Sequence, residues 1–219
     1  MADRFSSFDD LSAAFANGID YEIICLADGR DTSVVIMAPH GGAIESYTAE
    51  LAREVAGTAW AYYAFRGKMH RGNQKLHIAS TRFDEPQALS LLTRAVLAVV
   101  LHGASGSSPF TMLGGLHDSI RECLECHLRA AGFAVKHPSS SLAGLSSMNL
   151  CNRTSTGRGV QLELSRALRL LLRSDADRRS AFTAVVRRCV EQECFQARTS
   201  FGQQSFTARG ACAPRPAGE

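Results

Sequence analysis

Apolar and polar positions follow one another along the chain in blocks that predict strands and helices in turn. Short runs rich in β-branched and aromatic residues predict strands at YEIICLA, TSVVIMAP, AWAYYAF, LHIAST, VLAVVLHG, PFTMLGG, FAVKHP and VQLELS. Apolar residues three and four apart predict helices at FDDLSAAFANG, YTAELAREVAG, EPQALSLLTRA and DSIRECLECHLRAAG, and a long helical region from Arg166 that breaks near Asp175. This succession predicts an α/β fold, a single three-layer domain with an open mixed sheet flanked by helices.

The pattern also predicts part of the connectivity. The turn sequence DGRD between YEIICLA and TSVVIMAP favours a β-hairpin. VLAVVLHG is the most apolar run of the chain, which is typical of a central parallel strand. A polar stretch covers residues 139–159, and loops of this length are often functional. We expect residues 1–198 to form the domain and residues 199–219 to form a flexible tail.

The composition is that of a folded soluble protein, because 45% of the 219 residues are hydrophobic and 21% are charged. No apolar run approaches the ~20 residues that cross a bilayer, and the first residues lack the layout of a secretory signal. We therefore expect a cytoplasmic protein. The seven cysteines are expected to be reduced, with Cys123 and Cys126 as ordinary helix positions rather than metal or redox ligands.

Three of the predicted strands end on residues that bind metals or transfer protons. His40 follows TSVVIMAP and precedes Glu45, His102 follows VLAVVL, and Glu163 lies in VQLELS. Ligands of open α/β sheets bind at the carboxyl ends of the strands. Two histidines and a carboxylate are a ligand set of catalytic zinc, and a further carboxylate could act as general base. From these residues alone, an ordinary structural role for each remains an open alternative.

Four motifs, APHGGAIE, LHIASTRFDEP, LHG and NRTSTGRGVQLELS, resemble in this order those of the poly-γ-glutamate hydrolase family. The resemblance covers about residues 21–165. The family includes phage enzymes that degrade the capsule of host bacteria, and it is similar to the zinc carboxypeptidases in fold. The resemblance implies Zn²⁺ as cofactor, with the ligands His40, Glu45 and His102. It implies that Glu163 activates water and passes the proton to the leaving amine.

The chain departs from the family pattern just around the first motif. The family usually has a third glycine where Ala43 stands, and Pro-Gly where Ser46 and Tyr47 stand. These changes spare the expected ligands but alter the loop that follows them. They therefore bear on the fit of the substrate rather than on metal binding.

The basic residues fit the substrate that the resemblance implies. A γ-linked glutamate chain carries an α-carboxylate on every residue, and arginine binds carboxylates in a bidentate manner. We expect substrate contacts from residues of two polar loops, namely Arg66, Lys75, Asn149, Asn152 and Arg158. A cation for the developing oxyanion is expected from Arg82 or Arg153. For each basic residue, a solvated surface charge remains the alternative.

The sequence leaves three functions to separate. The first is a zinc-dependent amidohydrolase that cleaves γ-glutamyl bonds of anionic poly-γ-glutamate, and the second is a zinc hydrolase of small acylamino acids or peptides. The third, a non-catalytic phage-related protein that binds nucleic acid, is disfavoured because the net charge is only +3 and no nucleic-acid motif is present. We expect a monomer without a membrane partner, released by lysis if a phage encodes it.

Overall fold

A computed structural model describes residues 3–207, with side chains as far as residue 196. This part of the chain forms seven strands, which are β1 Tyr21–Leu26, β2 Asp31–Gly42, β3 Trp60–Gly67, β4 Leu97–Ala104, β5 Thr111–Gly115, β6 Val135–Lys136 and β7 Val160–Ser165. It forms six α-helices, which are α1 Phe8–Ala14, α2 Thr48–Ala56, α3 Pro86–Leu92, α4 Asp118–Ala130, α5 Arg166–Ser174 and α6 Ala176–Thr207. Short 3-10 turns occur at Asn73–Leu76 and Leu150–Asn152.

The seven strands form one open sheet in the order β1-β3-β2-β4-β7-β5-β6. The four central strands β3, β2, β4 and β7 are parallel to one another. β1 is antiparallel to β3, and β5 is antiparallel to β7. The predicted mixed sheet, with VLAVVLHG as a central parallel strand, is confirmed.

Helices cover both faces of the sheet, so the predicted three layers are also confirmed. Side chains of β2 divide between two cores: Ile36 packs on the face covered by α2, α4, α5 and α6, whereas Met37 packs on the face covered by α1 and α3. Both side chains are fully buried. The two-sided burial explains why β2 is apolar at consecutive positions instead of alternating.

The predicted hairpin between β1 and β2 is wrong, because β3 lies between them in the sheet. The chain does reverse at residues 27–30, but the turn is bonded to the start of β3. Asp31 N donates to Ala59 O at 2.8 Å, and Arg30 donates to Trp60 O at 3.0 Å. β2 pairs along both of its edges with parallel strands, and no edge is left for β1.

The predicted strand LHIAST is wrong as well. After the 3-10 turn Asn73–Leu76, residues 77–79 have no regular structure. Side chains from elsewhere bind the backbone groups that a strand would use in pairing. Ile78 O accepts from His40 Nε2 at 2.8 Å, and Ala79 N donates to Asp3 Oδ2 at 2.7 Å. The segment is therefore satisfied outside the sheet.

The helical region from Arg166 is broken as predicted. Asp175 has extended backbone, with φ −117°, between α5 and α6. α6 includes residues 199–207 of the expected tail, whereas residues 208–219 lie outside the described residues. The flexibility of the tail stays a prediction. None of the helices in the described part of the chain combines the length and apolarity needed to span a membrane.

A disulfide joins α4 to α6. Cys123 and Cys189 are bonded, with their Cα atoms 5.8 Å apart. The expectation of reduced cysteines is wrong for this pair, because the packing of α4 on α6 brings together two thiols that are far apart in sequence. Cys126, the other cysteine of CLEC, is an exposed free thiol.

Candidate metal centre

A β-bulge in β2 decides where His40 points. Between Ala38 and Gly41, three steps along β2 match only two steps along β3. Regular alternation would turn His40 to the same face as Ala38. The extra residue instead places it against Phe83, with ring centroids 6.2 Å apart, on the opposite face. Pro39 suits a bulge because it has no N–H for the sheet.

The turn after β2 returns Glu45 to His40. Glu45 N donates to His40 O at 2.8 Å, and Glu45 Oε2 accepts from Gly103 N at 2.8 Å. A Cβ atom on Gly103 would lie 2.8 Å from the Cβ of Glu45, so glycine is required for this approach. The carboxylate is thus fixed between the ends of β2 and β4.

Two ring nitrogens and the two oxygens of one carboxylate converge at this point. His40 Nδ1 lies 3.2 Å from His102 Nδ1 and 3.4 Å from Glu45 Oε1. His102 Nδ1 lies 3.7 Å from Glu45 Oε2. Zinc at its usual distances from nitrogen and oxygen gives a ligand tetrahedron with edges of about 3.4 Å. The donor spacing therefore fits zinc.

The hydrogen bonds of the rings expose nitrogen lone pairs to the same point. His40 Nε2 donates to Ile78 O at 2.8 Å, which leaves Nδ1 of the neutral ring unprotonated. His102 Nε2 bonds Ser80 Oγ at 3.1 Å. Two nitrogens that face each other at 3.2 Å repel unless a proton or a cation lies between them. A metal-binding histidine is typically held by its second nitrogen in this way.

His77 also lies close to His40 and Glu45, but its orientation suits a supporting role. Its ring stacks on that of His40, with centroids 4.0 Å apart and an interplanar angle of 30°. Lone pairs of imidazole lie in the ring plane, so those of two stacked rings run side by side rather than converge. His77 Nδ1 contacts Asp3 Oδ1 at 2.6 Å. His102 is therefore the better third ligand.

The electrostatics of the centre favour a cation. Burial would raise the pKa of Glu45, but the charge of His40 and the hydrogen bonds of both histidines, in their protonated forms, hold it well below its ordinary range. Burial lowers the pKa of His102, whereas the hydrogen bond with Glu45 and the charge of Glu163 outweigh burial and raise it. Positive charge is stabilised here by the half-buried carboxylate of Glu45 and the buried carboxylate of Glu163.

Glu163 faces the same cavity as the three donors. β7 pairs with β4 so that Glu163 lies opposite His102. The cavity has a volume of about 600 Å³, and its lining includes His40, Glu45, His102 and Glu163. Gln161 Nε2 donates to Glu163 Oε1 at 3.3 Å. Burial raises the pKa of Glu163, although the charge of His102 opposes the shift.

The structure brings only some of the expected substrate residues to the centre. Asn149 lines the 600 Å³ cavity, and Lys75 lines an adjoining cavity of about 520 Å³ that Glu45 also borders. Arg66 instead pairs with Glu22 at 2.7 Å, at the edge of the sheet near β1.

The other two expected substrate residues lie away from both cavities. Asn152 is buried, and its side chain bonds Gly144 O at 2.8 Å. Arg158 is exposed before the start of β7, at the end of that strand opposite to Ser165. Neither side chain borders the two cavities beside Glu45.

The two arginines expected near the oxyanion have partners elsewhere. Arg82 forms an ion pair with Asp3 at 2.7 Å. Arg153 donates to three backbone carbonyls, two of which belong to Thr81 and Phe83 at 2.8 Å. Neither arginine lines the 600 Å³ cavity, although Thr81 does. Arg153 thereby holds one wall of the cavity, and the catalytic role of both residues stays a prediction.

Sequence reasoning missed Arg169 of α5. Its Nε donates to Leu164 O at 3.1 Å, and its terminal nitrogens donate to Ser46 O at 2.8 Å and Ala104 O at 3.2 Å. A Cβ on Gly103 would lie 2.8 Å from its guanidinium carbon. The available signal was an arginine six residues after Glu163, on the helix that directly follows β7.

Comparison with known proteins places the chain among relatives of similar sequence. The profile of the family described as poly-gamma-glutamate hydrolase matches residues 5–196. The chain is 40% identical over 166 residues to the SPbeta prophage-derived UPF0714 protein YoqZ of Bacillus subtilis (strain 168), which covers 75% of the chain and 59% of YoqZ. It is 34% identical to UPF0714 protein YndL of the same organism, over 76% of the chain and 66% of YndL. The chain thus spans about three fifths of YoqZ and two thirds of YndL.

Solved structures agree with the fold. A bacteriophage poly-gamma-glutamate hydrolase superposes with a TM-score of 0.81 and 29% identity, covering 90% of this chain and all of that one. YndL in a zinc-free apo form gives 0.81 and 30%, with 88% and 99% covered. An N-formylglutamate amidohydrolase from Ralstonia eutropha JMP134, at 0.53 and 12%, shares the fold alone. The chain belongs to the poly-gamma-glutamate hydrolase family, a group of hydrolases whose fold is like that of the zinc carboxypeptidases.

Proposed function

We propose that the protein is a zinc-dependent amidohydrolase that cleaves γ-glutamyl amide bonds of poly-γ-glutamate. The observation that carries the proposal is the set of three donors, 3.2–3.7 Å apart, that opens into the same cavity as Glu163. Three protein ligands beside an open cavity are typical of catalytic rather than structural zinc. His40, Glu45 and His102 are the residues that would hold the ion.

The chemistry divides between the cofactor and the chain. A zinc ion, when bound, supplies a Lewis acid that lowers the pKa of water and polarises an amide carbonyl. Glu163 accepts the proton of the attacking water and delivers it to the nitrogen of the leaving amine. A buried carboxyl with a raised pKa suits both steps, because it is closer to the working pH than an ordinary glutamate.

Other residues of the chain orient the reacting groups. Ser80 Oγ fixes the ring of His102, and Ile78 O fixes that of His40. His77 stacks on His40 and limits its rotation. The ring of His102 is only 3% exposed, so packing also restricts its movement. These contacts hold the donors in one arrangement before substrate binds.

The family supports the choice of substrate, and so does the charge of the cavity walls. Poly-γ-glutamate is a polyanion, and Lys75 contributes a cation to the cavity beside Glu45. The competing substrate class, a small acylamino acid or peptide, would need only the inner cavity near Glu163. The two substrate classes therefore differ in whether the substrate contacts the walls of the outer cavity.

The test combines metal analysis with a polymer assay. The purified protein should contain one zinc per chain and should shorten poly-γ-glutamate, followed by size-exclusion chromatography. Glu163→Gln should retain zinc and lower the rate about 10²–10⁴-fold, because only proton transfer is removed. The exposed Glu191→Gln, which is remote from the centre, should change neither. Absence of stoichiometric zinc, or an undiminished rate in Glu163→Gln, would contradict the proposal.

A further inference from the structure

A groove continues outward from the metal centre along α5. The 520 Å³ cavity beside Glu45 is also lined by Arg166 and Arg169. A third cavity of about 350 Å³ shares these two arginines and adds Tyr47 and Arg173. Shared walls place the three spaces side by side, with the 600 Å³ cavity at the inner end.

One face of α5 supplies the arginines of this groove. Arg166, Arg169 and Arg173 are three and seven residues apart, which puts them on the same side of a helix. Arg166 lines the same cavity as Glu45, so the row of arginines begins next to the expected metal centre. The row extends for about 10 Å along the helix axis.

The groove has an excess of positive charge. Arg166 and Arg173 are exposed and form no ion pair with a carboxylate of residues 3–196. Burial lowers the pKa of Arg169; the charge of Glu45 opposes this shift, and the charge of Arg166 adds to it. The acidic residues of the same walls, Asp3 and Glu45, already contact His77 and the ligand histidines.

Tyr47 forms part of the wall at a conformational cost. Its φ of 74° makes it the single non-glycine residue with left-handed backbone in the described part of the chain. Glycine would adopt this conformation freely, whereas a side chain with a Cβ is strained there. Tyr47 borders the cavity that Arg173 lines, and it also packs, half-buried, against the core on the α2 side of the sheet. Strain kept at a cavity wall indicates that the tyrosine side chain has a role there.

We propose that the groove formed by Tyr47, Arg166 and Arg173 is a binding subsite for successive carboxylates of an acidic chain, on one side of the reacting bond. This inference rests on the proposed function and adds to it a preference for long, negatively charged substrates. An extended α-linked residue covers only ~3.6 Å, so a 10 Å row contacts more than one residue of a chain. Long acidic chains are therefore favoured over small acyl amino acids.

The test measures binding apart from cleavage. Fluorescently labelled poly-γ-glutamate is titrated into zinc-loaded Glu163→Gln protein, with and without the added pair Arg166→Gln and Arg173→Gln. Loss of two exposed cation contacts should raise the dissociation constant about 10-fold at low salt. The same pair in the otherwise unaltered protein should raise KM for the polymer, but not for a γ-glutamyl dipeptide, and should leave kcat unchanged.

A matched control removes the same charge elsewhere. Arg53→Gln with Arg188→Gln alters two exposed arginines of α2 and α6 that do not line the groove. This pair should leave the affinity for the polymer unchanged. If both pairs weaken polymer binding equally, the effect is one of net charge and the subsite is refuted. The subsite is also refuted if the Arg166 and Arg173 pair does not weaken binding.

Two further readouts separate the remaining outcomes. Tyr47→Gly relieves the backbone strain, so it should fold and bind zinc but bind the polymer more weakly; unchanged affinity would remove Tyr47 from the subsite. Competition by a single-stranded oligonucleotide as strong as that by unlabelled polymer would assign the groove to phosphates instead. Arginine-dependent binding without any cleavage by the unaltered protein would refute the proposed hydrolase and retain the polyanion site.

Discussion

Two groups of potential metal ligands occur in the described residues, and they differ in what their donor atoms can do. At the ends of β2 and β4, the backbone carbonyl of Ile78 turns the bare nitrogen of His40 toward Glu45. Between α4 and α6, the sulfur atoms of Cys123 and Cys189 are bonded to each other. The comparison shows that residue type and proximity do not define a metal site by themselves.

The nearby histidine of the second group makes the same point. His127 Nδ1 lies 2.9 Å from Cys123 O, and a carbonyl can only accept, so this nitrogen carries a proton. The ring nitrogen nearest to the sulfur of Cys123, at 3.6 Å, therefore has no lone pair for a metal, and the lone pair of a neutral ring lies on Nε2 instead. This group of Cys123, His127 and Cys189 therefore has the spacing of a metal site, but its two sulfur atoms form a disulfide.

The largest contrast is expected from removing one ligand at each place. His40→Ala should abolish stoichiometric zinc and lower the cleavage rate by more than ~100-fold, since loss of a ligand exceeds loss of a supporting partner. Cys189→Ser should leave zinc content and rate unchanged. Metal analysis and the polymer assay check both variants. A clear loss of zinc in Cys189→Ser would instead indicate a zinc site between α4 and α6.

A smaller effect is expected on stability when the disulfide is removed. Cys123 and Cys189 are 66 residues apart, and a cross-link of this length stabilises by about 2–4 kcal/mol. Cys123→Ala with Cys189→Ala should lower the free energy of unfolding in urea by that amount without changing zinc binding. Reductant should lower the stability of the unaltered protein and leave that of the variant unchanged; an equal response of both would show that the bond does not form.

The smallest effect concerns the support beneath the metal centre. Asp3 contacts His77, Ala79 and Arg82 through its carboxylate. Burial would raise its pKa, but these partners lower it below the ordinary value of 3.8. A depressed folded pKa means that the carboxylate stabilises the fold above the unfolded pKa, and that this contribution disappears as the pH falls through the folded pKa.

Asp3→Asn should therefore cost about 1–2 kcal/mol at pH 7 and progressively less in acid. Urea unfolding of both proteins at a series of pH values measures the difference. Asp10→Asn, whose carboxylate lies at an exposed helix start, serves as the control and should show little effect. A difference for Asp3→Asn that stays constant down to pH 3 would contradict this account.

The sequence predicted the convergence of His40, Glu45 and His102 better than the pairing of strands. Apolar runs end sharply at Pro39 and Leu101, so the residues that follow them could be placed at one edge of the sheet. The turn after β1 showed that the chain reverses, but a turn carries no information about a third strand that enters between its arms. LHIAST resembled a strand because Leu76 and Ile78 alternate as buried apolar residues, while its backbone groups are bound by His40 and Asp3.

The arginines were the least predictable part of the site. Arg66 and Arg153 lie in motifs or loops that favoured a functional role, but their guanidinium groups are satisfied by Glu22 and by backbone carbonyls. Arg166 and Arg173 belong to the helical region predicted after Glu163, where no substrate contact was expected. Which cation lacks a partner depends on contacts between distant segments, and a single sequence does not contain that information.

The bulge before Gly41 makes the centre depend on a count of residues as much as on their identity. Deleting Pro39 alone would keep every expected ligand in the chain and still turn His40 into the opposite core. Among descendants of this sequence, length changes at this point should accordingly be eliminated even where substitutions are accepted. The number of residues around Pro39 thus sets the face of the sheet to which His40 points, and a change of one residue reverses that face.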